Sequence, residues 1–206
     1  MKVVIIDYGS GNLGSIKNML RKIGVEGIIS SSISDIEKAE KLILPGVGTF
    51  DHGMRNLGLL GLLPILENKV IQKKTPILGV CLGMQMFARK SQEGESRGLG
   101  WIDAEVVRFM FDDRERHLKI PHMGWNLIKI EKEDTLFREM YPKPRFYFVH
   151  SYHMVCRNES DILTKTFHGY EFASSLRKEN IYGVQFHPEK SHKFGMKLLD
   201  NFVALC

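Results

Sequence analysis

The chain has 206 residues, enough for one α/β domain spanning 1–206 with a single core. Lys and Arg outnumber Asp and Glu by 29 to 24. The cations are interspersed with acids and form no stripe, so neither nucleic acid nor a membrane is expected as a partner. Cys81, Cys156 and Cys206 are odd in number and far apart, and the apolar run at 3–6 stops at Asp7, so a soluble cytoplasmic protein without a disulfide framework is expected.

Residues 2–7 form a buried strand pattern, followed by Gly9-Ser10-Gly11-Asn12-Leu13-Gly14 and a helical run at Ile16, Met19, Leu20 and Ile23. The loop spells G-x-G-x-x-G, which keeps a dinucleotide-binding module open as an alternative. That module needs an acidic residue at the end of the second strand. The run at 25–30 ends in serines instead, with Asp35 and Glu37 at a helix start. A third strand at 41–44 leads into Pro45-Gly46-Val47-Gly48, a loop whose peptide is free to turn its N–H toward a ligand or to serve as a mere turn. Helical segments are expected over about 51–74.

The next strand, Ile77-Leu78-Gly79-Val80-Cys81, ends on a cysteine, and Leu82-Gly83-Met84-Gln85 begins a helix-like run. Gly79 and Gly83 flank Cys81 in the G-x-nucleophile-x-G pattern, which lets a strained turn pack and leaves the sulfur exposed at a helix start. Backbone N–H groups there favour a thiolate and can hold an oxyanion. The alternative is a buried core cysteine. Alternation of strand and helix predicts a doubly wound, mostly parallel sheet with flanking helices, Cys81 standing at the carboxyl end of a central strand.

Residues 91–100 have the composition of a surface loop, with Glu93 a solvated charge, and the charged segment 111–118 is also expected as loop. Strand-like runs at 101–109, 125–130, 145–150, 153–157, 162–167 and 171–176 predict antiparallel strands added to one side of the sheet. His150, His153 and Cys156 could be spaced for a metal, but their faces alternate imperfectly and no fourth ligand is evident, so no metal or other cofactor is expected. A strand at 181–186 ends in His187-Pro188-Glu189. In an extended chain Glu189 would share a face with His187 and orient its imidazole; alone, His187 could be a surface histidine. Lys190 and Ser191 open a last helix with Phe194, Leu198, Leu199, Phe202 and Val203 inward.

Gly79-Val80-Cys81-Leu82-Gly83-Met84-Gln85 together with His187-Pro188-Glu189 resembles the triad-type (class I) glutamine amidotransferases. Asp7-Tyr8-Gly9-Ser10-Gly11-Asn12-Leu13, Leu44-Pro45-Gly46-Val47-Gly48, Pro121-His122-Met123-Gly124-Trp125-Asn126, His150-Ser151-Tyr152 and Phe186-His187-Pro188-Glu189-Lys190 are most similar to the glutaminase subunits of imidazole glycerol phosphate synthase. The resemblance spans nearly the whole chain. It implies a Cys81, His187 and Glu189 triad acting on L-glutamine, with the backbone N–H groups of Val47 and Leu82 as oxyanion hole. It implies a glutamine pocket of Gly48, Gln85, Glu93 and Ser151, and a heterodimer with a (β/α)8-barrel cyclase that takes the ammonia into histidine biosynthesis. Asn12, Met123, Trp125 and Lys190 become interface candidates, although Met123 and Trp125 would equally suit a core and Lys190 a helix start. Gly14 and Thr49 depart from the family pattern, and paralogues supply ammonia to other acceptors, such as sugar precursors of surface polysaccharides.

Overall fold

The computed structural model describes residues 1–112 and 118–206, so most of the expected loop at 111–118 lies outside the described residues. The first part of the chain alternates as expected: β1 (Val3–Ile6), α1 (Leu13–Lys22), β2 (Gly27–Ser30), α2 (Ile33–Glu37), β3 (Lys41–Gly46), α3 (Phe50–Leu59), α4 (Leu62–Glu67) and β4 (Ile77–Cys81). Then follow α5 (Leu82–Gln85), β5 (Lys90–Ser91), β6 (Ala104–Arg108), β7 (His122–Leu127), β8 (Lys129–Ile130), β9 (Arg145–His150), β10 (Tyr152–Cys156), β11 (Ile162–His168), β12 (Tyr170–Lys178), β13 (Ile181–Val184) and α6 (His192–Leu205).

The main sheet runs β2-β1-β3-β4-β13-β12-β10-β6-β5, with β11 and β8 branching from β12. From β2 to β13 every pairing is parallel, and from β13 through β12 and β10 to β6 every pairing is antiparallel. The mostly parallel sheet with an added antiparallel side is therefore the one the alternation of elements predicts.

Alternate side chains of each strand enter opposite layers, as the pleat requires. Val3 and Ile5 pack with Ile16, Leu20, Leu198, Leu199 and Phe202 of α1 and α6. Val4 and Ile6 pack with Ile36, Phe50, Leu57, Leu62 and Leu66 of α2, α3 and α4. Each such side chain withdrawn from water contributes ~2 kcal/mol, which is what holds both helical layers to the sheet. The inward face expected for α6, from Phe194 to Val203, is buried throughout.

The helical segments expected over about 51–74 are α3 and α4, parted at Gly61, which takes φ +66°, and followed by a wider turn at Asn68–Gln72. Three expectations shift. The run after Cys81 is helical for Leu82–Gln85 only, because Met86 and Ala88 turn their carbonyls to Leu99 and Gly100. The run at 125–130 splits: β7 begins earlier, at His122, and pairs with β9 as a separate two-stranded ribbon, while Lys129–Ile130 joins β11. β13 ends at Val184, before Phe186, because Gln185 and His187 donate their backbone N–H groups to Ser174 and Tyr147.

Candidate active site

β3, β4 and β13 are adjacent and parallel, and in register Gly46 lies beside Cys81 and Val184 beside Val80. One edge of the sheet thus receives the loop at 45–48, the cysteine, and the segment leading to His187. This is the carboxyl end of the strands, where open α/β sheets place their ligands.

Cys81 takes φ +54° and ψ −108°, the strained turn expected of a nucleophile elbow. The flanking glycines are obligatory on steric grounds. A Cβ on Gly83 would stand 1.7 Å from the Leu44 carbonyl oxygen, and one on Gly79 would stand 2.5 Å from the Phe87 ring. The expectation of an exposed sulfur is corrected: Cys81 is only 7% exposed and forms the floor of a cavity.

His187 Nδ1 and Glu189 Oε1 are 2.8 Å apart, with both side chains withdrawn from solvent. The route to this contact differs from the extended one expected. Pro188 fixes the start of a tight turn, Pro188–Lys190, in which the Lys190 N–H returns to the His187 carbonyl. The backbone of His187 is also pinned to β9, its N–H donating to Tyr147 and its carbonyl accepting from Ser191 Oγ at 2.6 Å.

Burial opposes charge on His187, but the Cys81 sulfur and the Glu189 carboxylate outweigh it and raise the imidazole pKa to about 10. Burial likewise pushes Glu189 up, yet His187 and Asn12 hold it below its ordinary value. These neighbours favour the protonated ring over the neutral one, the form that pairs with a thiolate. Asn12, expected at a partner interface, donates from Nδ2 to the same Glu189 Oε1 at 3.0 Å. The loop at 9–14 thus packs on the Glu189 corner: a Cβ on Gly11 would stand 3.1 Å from Pro45, and Ser10 holds Val47.

A cavity of about 300 Å³ opens over Cys81, lined by Val47, Gly48, Leu82, Gln85, Glu93, Ser151 and Tyr152 among others. All four residues expected to hold glutamine lie on its wall. Glu93 is not the solvated charge its loop composition indicated. Its Oε2 accepts the Phe50 N–H at 2.8 Å, and burial, with Asp51 adding, raises its carboxyl pKa against that bond. The Gln85 side-chain nitrogen donates to the Tyr152 carbonyl at 2.9 Å and to Gln185 Oε1 at 3.0 Å, which leaves its oxygen for the cavity.

Of the two expected oxyanion donors, Leu82 opens α5 directly after the cysteine. The Val47 N–H is turned away and donates to Ser10 Oγ at 3.0 Å.

Two histidines for which sequence reasoning found no role of this kind complete the cleft. The Tyr152 carbonyl can only accept, so His150, 2.8 Å away, donates to it from Nδ1 and carries no proton on Nε2. His122 Nδ1, 3.1 Å from that Nε2, is then a donor, and its own Nε2 accepts from Asn126 at 3.1 Å. Burial, with like charge from neighbouring histidines, keeps this chain neutral: His122 falls to about 4 and His150 well below its ordinary value. Among the described residues no group of three or more His, Cys, Asp or Glu is arranged to hold a metal.

Met123 and Trp125 are not core: they are 62% and 44% exposed on β7. Trp125 pairs across the ribbon with Tyr147, whose ring lies 5.6 Å from Lys190 Nζ. The interface candidates therefore border the His187 and Glu189 corner. Among the described residues no helix is long and apolar enough to cross a membrane.

The profile of the family described as glutamine amidotransferase class-I matches residues 4–206. Over 201 residues the chain is 54% identical to imidazole glycerol phosphate synthase subunit HisH 2 of Methanococcus maripaludis, covering 98% of each. Over 203 residues it is 49% identical to the subunit HisH 2 of Pseudomonas aeruginosa, covering 98% of this chain and 99% of the relative. Over 204 residues it is 46% identical to subunit HisH 1 of Campylobacter jejuni, covering 98% of this chain and all of the relative. In fold it is similar to a glutamine amidotransferase of Thermotoga maritima, with a TM-score of 0.70 at 16% identity, covering 98% of this chain and 96% of that one.

Proposed function

The chain belongs to the class I glutamine amidotransferases, and from that membership and the geometry of the cleft we propose that it is the glutaminase subunit of an imidazole glycerol phosphate synthase. The observation that carries this reading is that Cys81 lines a cavity walled by Gly48, Gln85, Glu93 and Ser151, while the strand paired with its own leads into the joined His187 and Glu189. The whole chain then acts as one amidotransferase domain.

Glutamine enters with its α-ammonium toward Glu93 and its carboxamide over Cys81. The thiolate attacks the amide carbon, and the Leu82 N–H meets the oxyanion. His187, held as imidazolium by Glu189, gives its proton to the leaving ammonia. The neutral ring then takes a proton from water, which opens the γ-glutamyl thioester and releases glutamate. A preorganised oxyanion donor is worth ~3 kcal/mol, so a Val47 N–H held by Ser10 makes this resting state a slow one.

Ammonia that escapes to water is protonated and lost as a nucleophile, so its acceptor must dock beside the site. Asn12, Met123, Trp125 and Lys190 border that corner and supply the docking face for a (β/α)8-barrel cyclase. The test is glutamate release from glutamine by the native chain and by Cys81→Ala, each with and without the barrel cyclase loaded with its nucleotide substrate. The expected result is slow release by the native chain alone, strong stimulation by the loaded barrel, and none from the variant. Release that survives in Cys81→Ala overturns the nucleophile, and equal release with and without the barrel overturns the coupling.

One observation favours a second reading, in which the ammonia reaches a different acceptor such as a sugar precursor. Gly14 presents no side chain at the exposed start of α1, with nothing within 4 Å of where a Cβ would stand. A barrel that stimulates glutamate release without forming an imidazole product supports it.

A further inference from the structure

Gln185 is a polar residue with no exposed surface, at the end of an apolar strand, and the steps above do not use it. A buried carboxamide must be hydrogen-bonded or it destabilises the fold. Its nitrogen lies 3.6 Å from Cys81 Sγ, within reach of an N–H···S bond.

The neighbouring bonds fix which end of the carboxamide faces the sulfur. The Tyr152 carbonyl can only accept, so the Gln85 atom 2.9 Å from it is nitrogen. The same nitrogen lies 3.0 Å from the Gln185 side chain, and the atom it meets must therefore be oxygen. The other end of Gln185, the amino group, is left facing Cys81.

We propose that Gln185 is a further catalytic residue, a fixed N–H donor to the Cys81 sulfur that stabilises the thiolate when it forms and again when it is expelled. The donor is held from both sides: Gln85 grips the carboxamide, and the Gln185 backbone N–H donates to the Ser174 carbonyl at 2.9 Å. During attack the sulfur surrenders its negative charge to the oxyanion and the N–H···S bond weakens. When water opens the thioester the sulfur leaves as thiolate, and the same donor meets the returning charge. His187 supplies the proton balance in both halves, and Gln185 supplies a dipole that neither gains nor loses a proton. Its kinetic consequence rests on the glutaminase reading, whereas its effect on the thiolate does not.

The experiment uses the full chain and two substitutions, Gln185→Met, which keeps the volume and deletes the donor, and Gln185→Glu, which keeps the shape. Alkylation by iodoacetamide at pH 7 is followed on the Cys81 peptide by mass spectrometry, because Cys156 and Cys206 also react. Glutamate release is measured alongside, with the barrel cyclase present. Losing a bond to a charged group slows alkylation about tenfold in both variants and lowers kcat by a similar factor, with KM for glutamine within about twofold. Alkylation at the native rate overturns the proposal. So does a loss confined to KM, which reassigns Gln185 to support of the pocket wall through Gln85, and so does failure of both variants to fold, which reassigns it to the core. Untreated native protein that releases no glutamate with the barrel present, although its Cys81 reacts with iodoacetamide, defeats the glutaminase reading and leaves the alkylation arm to decide on Gln185.

Discussion

Ser10 and Val47 are joined twice: the Val47 N–H donates to Ser10 Oγ at 3.0 Å, and the same hydroxyl donates to the Val47 carbonyl. Because β1 and β3 are paired neighbours, residues 37 positions apart meet across one strand end. The serine thereby fixes the Val47 peptide, the second oxyanion donor of the proposed mechanism, in an orientation turned toward β1.

Ser10→Ala should release that peptide. An ordinary hydrogen bond is worth ~1 kcal/mol, so glutamate release without the barrel should rise about fivefold. The barrel-stimulated rate should stay within about twofold, since the partner's work is then already done. Steady-state assays with and without the barrel check this, and an unchanged or lower basal rate contradicts it.

Glu189→Gln keeps the shape of the side chain and its contact with Asn12 but removes the charge that sustains the imidazolium. The expected loss in kcat is on the order of 10³ to 10⁴, as for other triads whose acid is made neutral. Single-turnover glutamate release at saturating glutamine separates this from a binding defect. A loss of less than about tenfold would mean that Glu189 only packs against the ring.

Acid should weaken the fold through its buried histidines. Burial lowers the pKa of His153 to about 4, with a bond to the Met154 carbonyl opposing, and its Nε2 lies 2.9 Å from the Tyr170 hydroxyl. Between pH 6.5 and 4 the unfolded chain takes up a proton there that the folded chain refuses, so stability falls as pH falls through that window. His153→Phe fits the neighbouring Phe109 and Phe172 rings and removes the titration. Urea-unfolding free energies at pH 7 and pH 4.5 should differ less in the variant than in the native chain, by up to ~3 kcal/mol. Equal differences contradict the assignment.

Trp125 is 44% exposed and stacks on His192 at 5.6 Å between ring centroids. Trp125→Ala should leave the melting temperature almost unchanged while weakening the barrel complex about thirtyfold, the ~2 kcal/mol of a buried aromatic anchor. Calorimetric titration of one protein into the other measures it, and an unaltered affinity places the docking face elsewhere.

The parts of the site written in one short stretch were legible in the chain, and the parts made by packing were not. Gly79 and Gly83 announced the turn at Cys81 because no larger residue fits beside Leu44 and Phe87. His187-Pro188-Glu189 announced a paired base and acid, but through a 3-10 turn, since Pro188 suits the first position of a helical turn as readily as a strand end. Glu93 stands in a polar stretch, and it is the fold that brings it against the start of α3 and into the cavity wall. The strand expected through Phe186 hid Gln185, although a glutamine inside an apolar run was itself a signal that it must find partners. The Ser10 contact was beyond reach because it depends on which strands are neighbours, and periodicity carries no information on strand order.

β3, β4 and β13 each deliver one piece of the machinery to a common edge, and the pieces are tethered to different degrees. The sulfur and the ring are locked by a strained turn and by backbone bonds to β9, whereas the third strand ends in a peptide that a single hydroxyl restrains. On the proposed mechanism, rotating that one amide would adjust the rate while bond-making geometry stays untouched, so evolution could exchange the trigger without rebuilding the gun.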